Sequence, residues 1–226
     1  MKKIGLVGGI SWASTTDYYK FINEGVNKRS GGLNSAECII YSLNFGEVQA
    51  KGWNNAFELL LNACKNLEKS GVDGIALCAN TAHLHADRLK EVINLPIIHI
   101  VDETAKAITH RGFKKVGLIG TKFTMEQDFY KKKLAEYRLE VLIPEKQETR
   151  DYIQITVKEE LGVGFVNPDT KARYISIINE MTDRGAECIV LGCTEIPLLL
   201  SQDDITTPVF DTTKIHSQAI VDYILS

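Results

Sequence analysis

The segment of the chain best suited to chemistry is residues 190–197, in which a cysteine follows a short apolar run. Residues 189–191 are too few for a helix and predict a buried strand, so Cys193 is expected where a strand ends. Residues 194–197 are typical of a helix start, and a helix N-terminus would lower the pKa of the thiol and favour the reactive thiolate. Cys193 is therefore a candidate catalytic base, and the alternative is a buried, inert cysteine.

Composition excludes several classes of function. A length of 226 residues suits one large α/β domain or two small ones. The formal net charge of -3, with scattered basic residues, gives no electrostatic case for binding nucleic acid or an anionic membrane. The N-terminal apolar stretch is too short for a signal peptide or a membrane span, and the five cysteines show no paired spacing. We therefore expect a cytoplasmic protein with reduced thiols.

Apolar runs of strand length alternate with longer segments of helical periodicity along the whole chain. Strands are expected near residues 3–8, 37–42, 74–79, 97–100, 115–120, 140–143, 187–192 and 208–210. This alternation predicts an α/β fold with mostly parallel sheets flanked by helices.

The two halves of the chain repeat one pattern. Residues 2–8 recur as residues 114–120, with five of the seven positions identical. A repeat of this length predicts two pseudo-symmetric, Rossmann-like lobes whose strand ends open on a shared cleft, where ligands bind. The expected boundaries are residues 1–105 for the first lobe, completed by a C-terminal helix at 211–226, and residues 106–210 for the second.

The repeat also shows which residues are equivalent at the ends of the third and seventh predicted strands. Residues 71–81 align with residues 185–195, which pairs Ala79 with Cys193. Because neighbouring side chains along a strand point to opposite faces, Cys78 can replace a thiol missing at position 79 only if the backbone bulges there.

Four motifs taken together resemble the aspartate/glutamate racemase family of cofactor-independent amino-acid racemases, and most of all its bacterial branch with Asp/Glu-type or broader specificity. The motifs are residues 8–15, 80–83, 120–130 and 191–195, and the resemblance covers essentially the whole chain. It implies two similar α/β lobes, a site between them, usually a homodimer, and chemistry without pyridoxal phosphate or a metal.

The mechanism implied by this resemblance is two-base racemisation, in which one thiolate takes the Cα proton and a thiol on the opposite face returns one. Cys193 is the implied acid/base. The developing carbanion calls for hydrogen-bond donors that converge on the carboxylate of an amino-acid or dicarboxylate substrate. The candidate donors lie at strand ends or expected helix starts and are Asn80, Thr81, Thr194, Ser11, Thr121 and Thr124. For the last three, helix capping is the alternative role.

The chain departs from the family pattern at two positions. The first cysteine of the two-thiol members is Ala79 here, so the second face must use Cys78 after a local distortion, a bound water, or nothing. We therefore expect an active enzyme with one face impaired. His83 matches a histidine that commonly follows the family's Asn-Thr pair and is expected to line the site or to orient a helix. Asn167 stands where relatives often present a lysine, which puts recognition of a side-chain carboxylate in doubt.

Other functions remain open. A one-thiol relative, such as a decarboxylase of malonate-like acids, would need an acid on one face only. A catalytically lapsed protein could bind small acids as a sensor. The run from His83 to Asp87 is not expected to hold a metal, because helical spacing points His85 away from the other two side chains. No dinucleotide or nucleotide phosphate-binding motif is present.

Overall fold

The computed structural model describes all 226 residues, which divide into two compact units. Unit 1 comprises Met1–Glu103 and Thr213–Ser226, and unit 2 comprises Thr104–Thr212. Each unit contains a four-stranded, entirely parallel sheet flanked by helices. This architecture confirms the fold class expected from the alternating pattern.

The sheet of unit 1 has the strand order β2-β1-β3-β4. Its strands are β1 (Ile4–Gly8), β2 (Cys38–Ser42), β3 (Gly74–Leu77) and β4 (Ile97–Ile98). The helices are α1 (Trp12–Ser30), α2 (Phe45–Lys51), α3 (Phe57–Lys69), α4 (Ala86–Val92), the start of α5 (Ile100–His110) and nearly all of the C-terminal helix Thr212–Leu225. Short 3₁₀ helices span Trp53–Asn55 and Thr81–His85.

The sheet of unit 2 repeats this topology, with the strand order β6-β5-β7-β8. Its strands are β5 (Lys115–Gly120), β6 (Glu140–Leu142), β7 (Cys188–Gly192) and β8 (Val209–Asp211). The helices are α6 (Lys122–Glu126), α7 (Asp128–Glu136), α8 (Gln147–Glu159), α9 (Pro168–Asp183) and α10 (Ile196–Leu199), and 3₁₀ helices span Leu161–Val163 and Gln202–Asp204. The C-terminal helix, Thr212–Leu225, nearly all of which belongs to unit 1, is α11.

The strands read as continuous apolar runs because both faces of each sheet are covered. Every residue of β1, β3 and β7 is buried, as expected for parallel sheets with helices on both sides. Each fully buried aliphatic side chain contributes roughly 1.5–3 kcal/mol relative to an exposed one. No helix is both long enough and apolar enough to traverse a lipid bilayer.

Glycines at the ends of the central strands let the backbone turn tightly above the sheet. A Cβ at Gly8 would collide with Cγ2 of Thr15, and a Cβ at Gly120 would lie 2.8 Å from the carbonyl oxygen of Gly192. Thr15 and Thr124 therefore pack directly against the two strand ends. These contacts hold the chain after β1 and β5 close to the neighbouring strand end in each unit.

The third and fourth predicted strands each end two residues earlier in the structure than the pattern predicts, and the cause is visible for the fourth. The pattern predicts residues 97–100, but β4 ends at Ile98 and α5 begins at Ile100. The Nδ1 atom of His99 accepts a hydrogen bond of 3.2 Å from the backbone N–H of Val101. This side chain satisfies one of the amides exposed at the helix start, so helix capping ends the strand early.

Candidate functional site

Two short turns lie at the carboxyl ends of equivalent strands. The Ala79 turn (residues 79–81) closely follows β3, and the Cys193 turn (residues 193–195) follows β7. β3 pairs in parallel with β1, and β7 pairs in parallel with β5. Each turn therefore lies at the same end of its sheet as the residues that follow the neighbouring central strand, and this end is termed the sheet edge. Ser11 follows β1, the strand beside β3, and Thr121 follows β5, the strand beside β7. This edge is where parallel α/β sheets place their ligands.

The thiol of Cys193 is held by a carboxylate two residues further along the chain. Its Sγ atom donates to Oε2 of Glu195 at 2.8 Å, and Oγ1 of Thr194 donates to the same oxygen at 2.9 Å. Cys193 is only 7% exposed. Glu195 was not among the functional residues predicted from the sequence. A carboxylate two positions after a candidate acid/base could have indicated it. The turn therefore presents an acid/base pair in place of an isolated thiol.

The prediction that a helix N-terminus lowers the thiol pKa is wrong. Burial raises the pKa of Cys193 well above its ordinary value, and the charge and hydrogen bond of Glu195 raise it further. The backbone N–H groups of Glu195 and Thr194 lower the pKa, as predicted, but by less. Helix α10 has only four residues and begins after Glu195, so its dipole is small beside a full carboxylate charge in hydrogen-bond contact. Burial and the Glu195 carboxylate therefore favour the protonated thiol over the thiolate.

Thr194 is placed differently from the sequence prediction. We expected its hydroxyl at a helix start as a donor to the substrate, but the residue that precedes α10 directly is Glu195. The hydroxyl of Thr194 instead donates to the carboxylate of Glu195. Thr194 therefore orients the acceptor of the thiol hydrogen bond.

The Ala79 turn carries neutral polar groups. Asn80 and Thr81 are buried, and the chain enters the 3₁₀ helix Thr81–His85 at this point. Asn80 has helical backbone angles and makes no side-chain capping bond. Ala79, at 9% exposure, brings only a methyl group to the position that Cys193 occupies in unit 2.

Cys78 is excluded from the candidates for a second acid. Its side chain is fully buried in the unit 1 core with Ile4, Leu6 and Tyr18. Burial raises the pKa of its thiol far above the ordinary value. The alternation of side chains near the end of β3 thus directs Cys78 into the core, and no backbone bulge brings it to the surface of the turn.

His83 is likewise unable to act as an acid or a base toward a substrate. Its Nδ1 atom lies 2.9 Å from the carbonyl oxygen of Ala79, and Nε2 accepts from the backbone N–H of Ile100 at 3.2 Å. Burial, with His99 beside it, lowers the pKa of His83 well below its ordinary value. Of the two predicted roles, the geometry supports the orienting hydrogen bond and does not support a site-lining role.

The three hydroxyls proposed as further donors take part in helix starts. Ser11 accepts from the backbone N–H of Ser14 at 3.3 Å, and Thr121 accepts from that of Thr124 at 3.3 Å. Thr124 is completely buried, with its hydroxyl 3.1 Å from that of Thr121. Burial removes Thr124 from the substrate-binding candidates, whereas Ser11 and Thr121 are only half-buried at their strand ends.

Other polar residues of unit 2 are engaged within the fold. Asn167 caps α9 by accepting from the backbone N–H of Asp169 at 3.0 Å. Next to Thr121, the ammonium of Lys122 lies 2.6 Å from a carboxylate oxygen of Asp151. No group of three or more His, Cys, Asp or Glu side chains is arranged to hold a metal ion.

Known proteins resemble this chain over its full length. The sequence model of the family described as Asp/Glu/Hydantoin racemase matches residues 7–220. The broad-specificity amino-acid racemase RacX of Bacillus subtilis is 26% identical, over 99% of this chain and 98% of RacX. A solved structure from Yersinia pestis, described as a candidate Asp/Glu racemase, is 42% identical with a TM-score of 0.93. An aspartate racemase homologue from Pyrococcus horikoshii is 38% identical with a TM-score of 0.87, and both structures match over all of each chain.

These similarities agree with the resemblance that the four motifs indicate. The family match extends from β1 into α11, so it includes both turns and both sheets. The chain therefore belongs to the Asp/Glu/hydantoin racemase family and is an isomerase of the racemase type.

Proposed function

We propose that the protein removes and returns the Cα proton of aspartate- or glutamate-like amino acids, with Cys193 as the acid/base. The observation that carries this proposal is the 2.8 Å contact between Sγ of Cys193 and Oε2 of Glu195, at the carboxyl end of β7. A thiol beside a carboxylate can pass its proton over a short distance and become a base. The likeness to a broad-specificity amino-acid racemase and to candidate Asp/Glu racemases supports this class of substrate.

The proposed reaction starts from the protonated thiol. Glu195 accepts the thiol proton, and the resulting thiolate takes the proton from Cα of the substrate. The electron pair of the broken C–H bond moves into the α-carboxylate and forms an enediolate. Hydrogen bonds from Asn80 and Thr81 to that carboxylate stabilise the charge as it develops. Thr194 holds the Glu195 carboxylate in place for the first transfer.

Return of the proton decides the stereochemical result. When Cys193 returns it to the face from which it came, the substrate exchanges its hydrogen without inversion. Inversion needs a donor on the other face, where a two-thiol enzyme has a second cysteine and this chain has Ala79. We therefore propose an enzyme whose second face is impaired and depends on water as the proton donor.

Hydrogen exchange in D₂O tests the proposal directly. We expect deuterium to enter Cα of L- or D-aspartate or glutamate, measured by NMR, and Cys193→Ser to slow this exchange by at least about a hundredfold, because a serine hydroxyl is a much weaker acid. Cys188→Ala is the matched control, since it removes a buried thiol from β7, the strand that leads to Cys193. Full exchange in Cys193→Ser would refute the proposed role.

A second candidate function is decarboxylation of malonate-like acids. It is favoured by one observation, namely that Ala79 leaves Cys193 as the only thiol of the two equivalent turns. In that reaction CO₂ leaves with cleavage of a C–C bond, the electron pair enters an enediolate, and Cys193 protonates one face. Release of CO₂ from a 2-substituted malonate, without Cα exchange of any amino acid, would favour this function. Binding without either reaction would indicate a small-acid sensor.

Three further properties of the protein are proposed from the family resemblance alone. They are a homodimeric state, a cytoplasmic location and chemistry without pyridoxal phosphate. Sedimentation velocity tests the first, because a single species of about twice the chain mass of 25.2 kDa is expected. Full activity of protein that shows no pyridoxal absorption band would support the last.

A further inference from the structure

Unit 1 contains a cluster of three buried histidines next to the Ala79 turn. The ring centroids of His83 and His99 are 4.6 Å apart, and those of His83 and His216 are 5.8 Å apart. All three side chains are at most 5% exposed. None of them takes part in the proposed chemistry, so the positions of their hydrogen bonds are informative about what the cluster does.

The hydrogen bonds of His83 define its tautomer. A carbonyl oxygen can only accept, so the contact with Ala79 places the proton on Nδ1. A backbone N–H can only donate, so Nε2 is unprotonated where it accepts from Ile100. The neutral ring thus joins the end of β3 to the first residue of α5. Protonation of Nε2 would leave two hydrogen-bond donors, Nε2–H and the N–H of Ile100, facing each other without an acceptor.

The neighbouring histidine has the opposite tautomer and different partners. His216 donates from Nε2 to the carbonyl oxygen of Ile98 at 2.9 Å, and its Nδ1 accepts from the hydroxyl of Tyr18 at 2.9 Å. These bonds join α11 to β4 and α1 and do not reach the Ala79 turn. Both rings are thus fully satisfied, but only His83 holds the turn.

The Ala79 turn is followed at once by a short, tightly wound segment. It leads into a 3₁₀ helix of five residues, a conformation with poorer hydrogen-bond geometry than an α-helix. The backbone N–H of His83 donates to the carbonyl oxygen of Asn80 at 3.1 Å, and no side chain caps the helix start. The ring of His83 therefore supplies the contact that fixes the carbonyl of Ala79.

We infer that His83 is a positioning residue for the substrate: through the carbonyl of Ala79 and the N–H of Ile100, it fixes the orientation in which Asn80 and Thr81 meet the α-carboxylate. This inference rests on the proposed function, in which those two side chains bind the substrate. Placing binding groups in advance lowers the entropic cost of binding, so loosening the turn weakens affinity.

Two variants of His83 separate its two hydrogen bonds. In His83→Asn the side-chain amide lies near the place of Nδ1 and can still donate to Ala79, whereas the bond from Ile100 is lost. In His83→Gln the longer side chain can accept from Ile100, whereas the bond to Ala79 is lost. His216→Gln is the matched control, because it loses the bond from Tyr18 in the same cluster at similar burial without touching the turn.

The measurement is the dissociation constant of L-aspartate by calorimetry, made in the Cys193→Ser background so that no turnover occurs, together with Tm. We expect His83→Gln to weaken binding about tenfold, the equivalent of one lost hydrogen bond, and His83→Asn to stay within about threefold of the parent. His216→Gln should lower Tm by a similar amount to His83→Gln and leave the dissociation constant within about twofold. In the active background, the same loss should appear in KM more than in kcat.

Equal losses of affinity in His83→Gln and His216→Gln would overturn the inference, since the cluster would then act only through stability. If His83→Gln does not fold, His83→Ala, which loses both bonds, takes its place, and affinity within about twofold of the parent in folded His83→Ala would overturn the inference as well. Asn80→Ala distinguishes a failure of the proposed site. Unchanged affinity in that variant would refute the role of the turn itself, whereas lost affinity in Asn80→Ala with normal binding by His83→Gln would refute only the role of His83.

Discussion

The Ala79 turn and the Cys193 turn occupy the same place in two copies of one topology, yet they are built for different chemistry. The Ala79 turn has a methyl group, an amide and a hydroxyl, and a buried histidine holds its backbone. The Cys193 turn has a thiol, a hydroxyl and a carboxylate, whose side chains hydrogen-bond to each other. The two units therefore share one scaffold, while the three residues of each turn differ.

The two turns are also stabilised by different means. At the position that the alignment gives to His83 in unit 1, unit 2 has Pro197 in the first turn of α10. Proline restricts the backbone by its own ring and is well suited to a helix start. Unit 1 instead uses hydrogen bonds to buried imidazole nitrogens, which makes its turn sensitive to protonation.

Glu195→Gln should cause a loss of activity that approaches that of Cys193→Ser, because the thiol then lacks its proton acceptor. We expect Cα exchange to slow by about a hundredfold. The pKa of Cys193 should fall at the same time, since the carboxylate that raises it is gone. Exchange in D₂O measures the first effect, and the pH dependence of alkylation by iodoacetamide measures the second. Glu159→Gln, an exposed change in the same unit, is the control, and exchange at the parent rate in Glu195→Gln would remove Glu195 from the mechanism.

Ala79→Cys should make the two turns chemically alike. A thiol at this position can donate to the second face of the substrate, so we expect the slower stereoisomer to exchange at least about tenfold faster and inversion to appear. Chiral chromatography and deuterium incorporation measure the two effects. Cys78→Ala added to this variant should change neither rate. Failure to accelerate the slower isomer would contradict the correspondence between the two turns.

Mild acid should unfold unit 1 before unit 2. Burial lowers the pKa of His83, His85 and His216, the last to about 3. The unfolded chain, with histidine pKa values near 6.5, binds more protons below that pH, so the stability present above about 6.5 is lost as pH falls. Each such histidine lowers the free energy of unfolding by at most about 1.4 kcal/mol per pH unit.

Unit 2 has no buried histidine and should respond only in stronger acid. Its carboxyls with lowered pKa values contribute stability that is lost below about pH 4.5, because their ordinary values lie near 4; they are Glu126, Asp151, Glu187 and Asp204. Both tryptophans, Trp12 and Trp53, belong to unit 1. Tryptophan emission should therefore shift near pH 5, while amide protection of β5 and β7 persists. Simultaneous loss of both signals would refute this order.

Cys78→Ala should have the smallest effect on activity. It replaces a core thiol with a smaller group and should cost about 1 kcal/mol of stability, seen as a lower Tm. Cα exchange should match that of the parent, in contrast to Cys193→Ser. A large loss of Cα exchange without loss of stability would indicate that Cys78 acts as an acid in the reaction.

The sheets could be predicted from the sequence because they depend on patterns that local burial enforces. Strands covered on both faces give continuous apolar runs, and the duplicated Lys-Lys-x-Gly segment marks β1 and β5 as equivalent. The rule of alternating side chains already indicated that Cys78 and Ala79 face different ways. The boundary at His99 was missed because it depends on one side-chain bond to Val101.

The chemistry of the Cys193 turn was only half predictable. The strand end and Cys193 follow from the apolar run, but the direction of the pKa shift depends on where the Glu195 side chain lies. A helix that begins one residue later makes Glu195 part of the turn, where its carboxylate reaches the sulfur. The tautomer of His83 depends on Ile100, which lies 17 residues away in the chain. Such contacts are set by tertiary packing, which local sequence patterns do not report.

The contact between Cys193 and Glu195 also bears on chemical durability. Oxidants and electrophiles attack thiolates far faster than thiols, so a sulfur that keeps its proton until a substrate arrives is a poor target for peroxide. We therefore expect slow reaction of Cys193 with peroxide in the absence of substrate, and covalent inhibitors aimed at that sulfur will need to resemble the substrate.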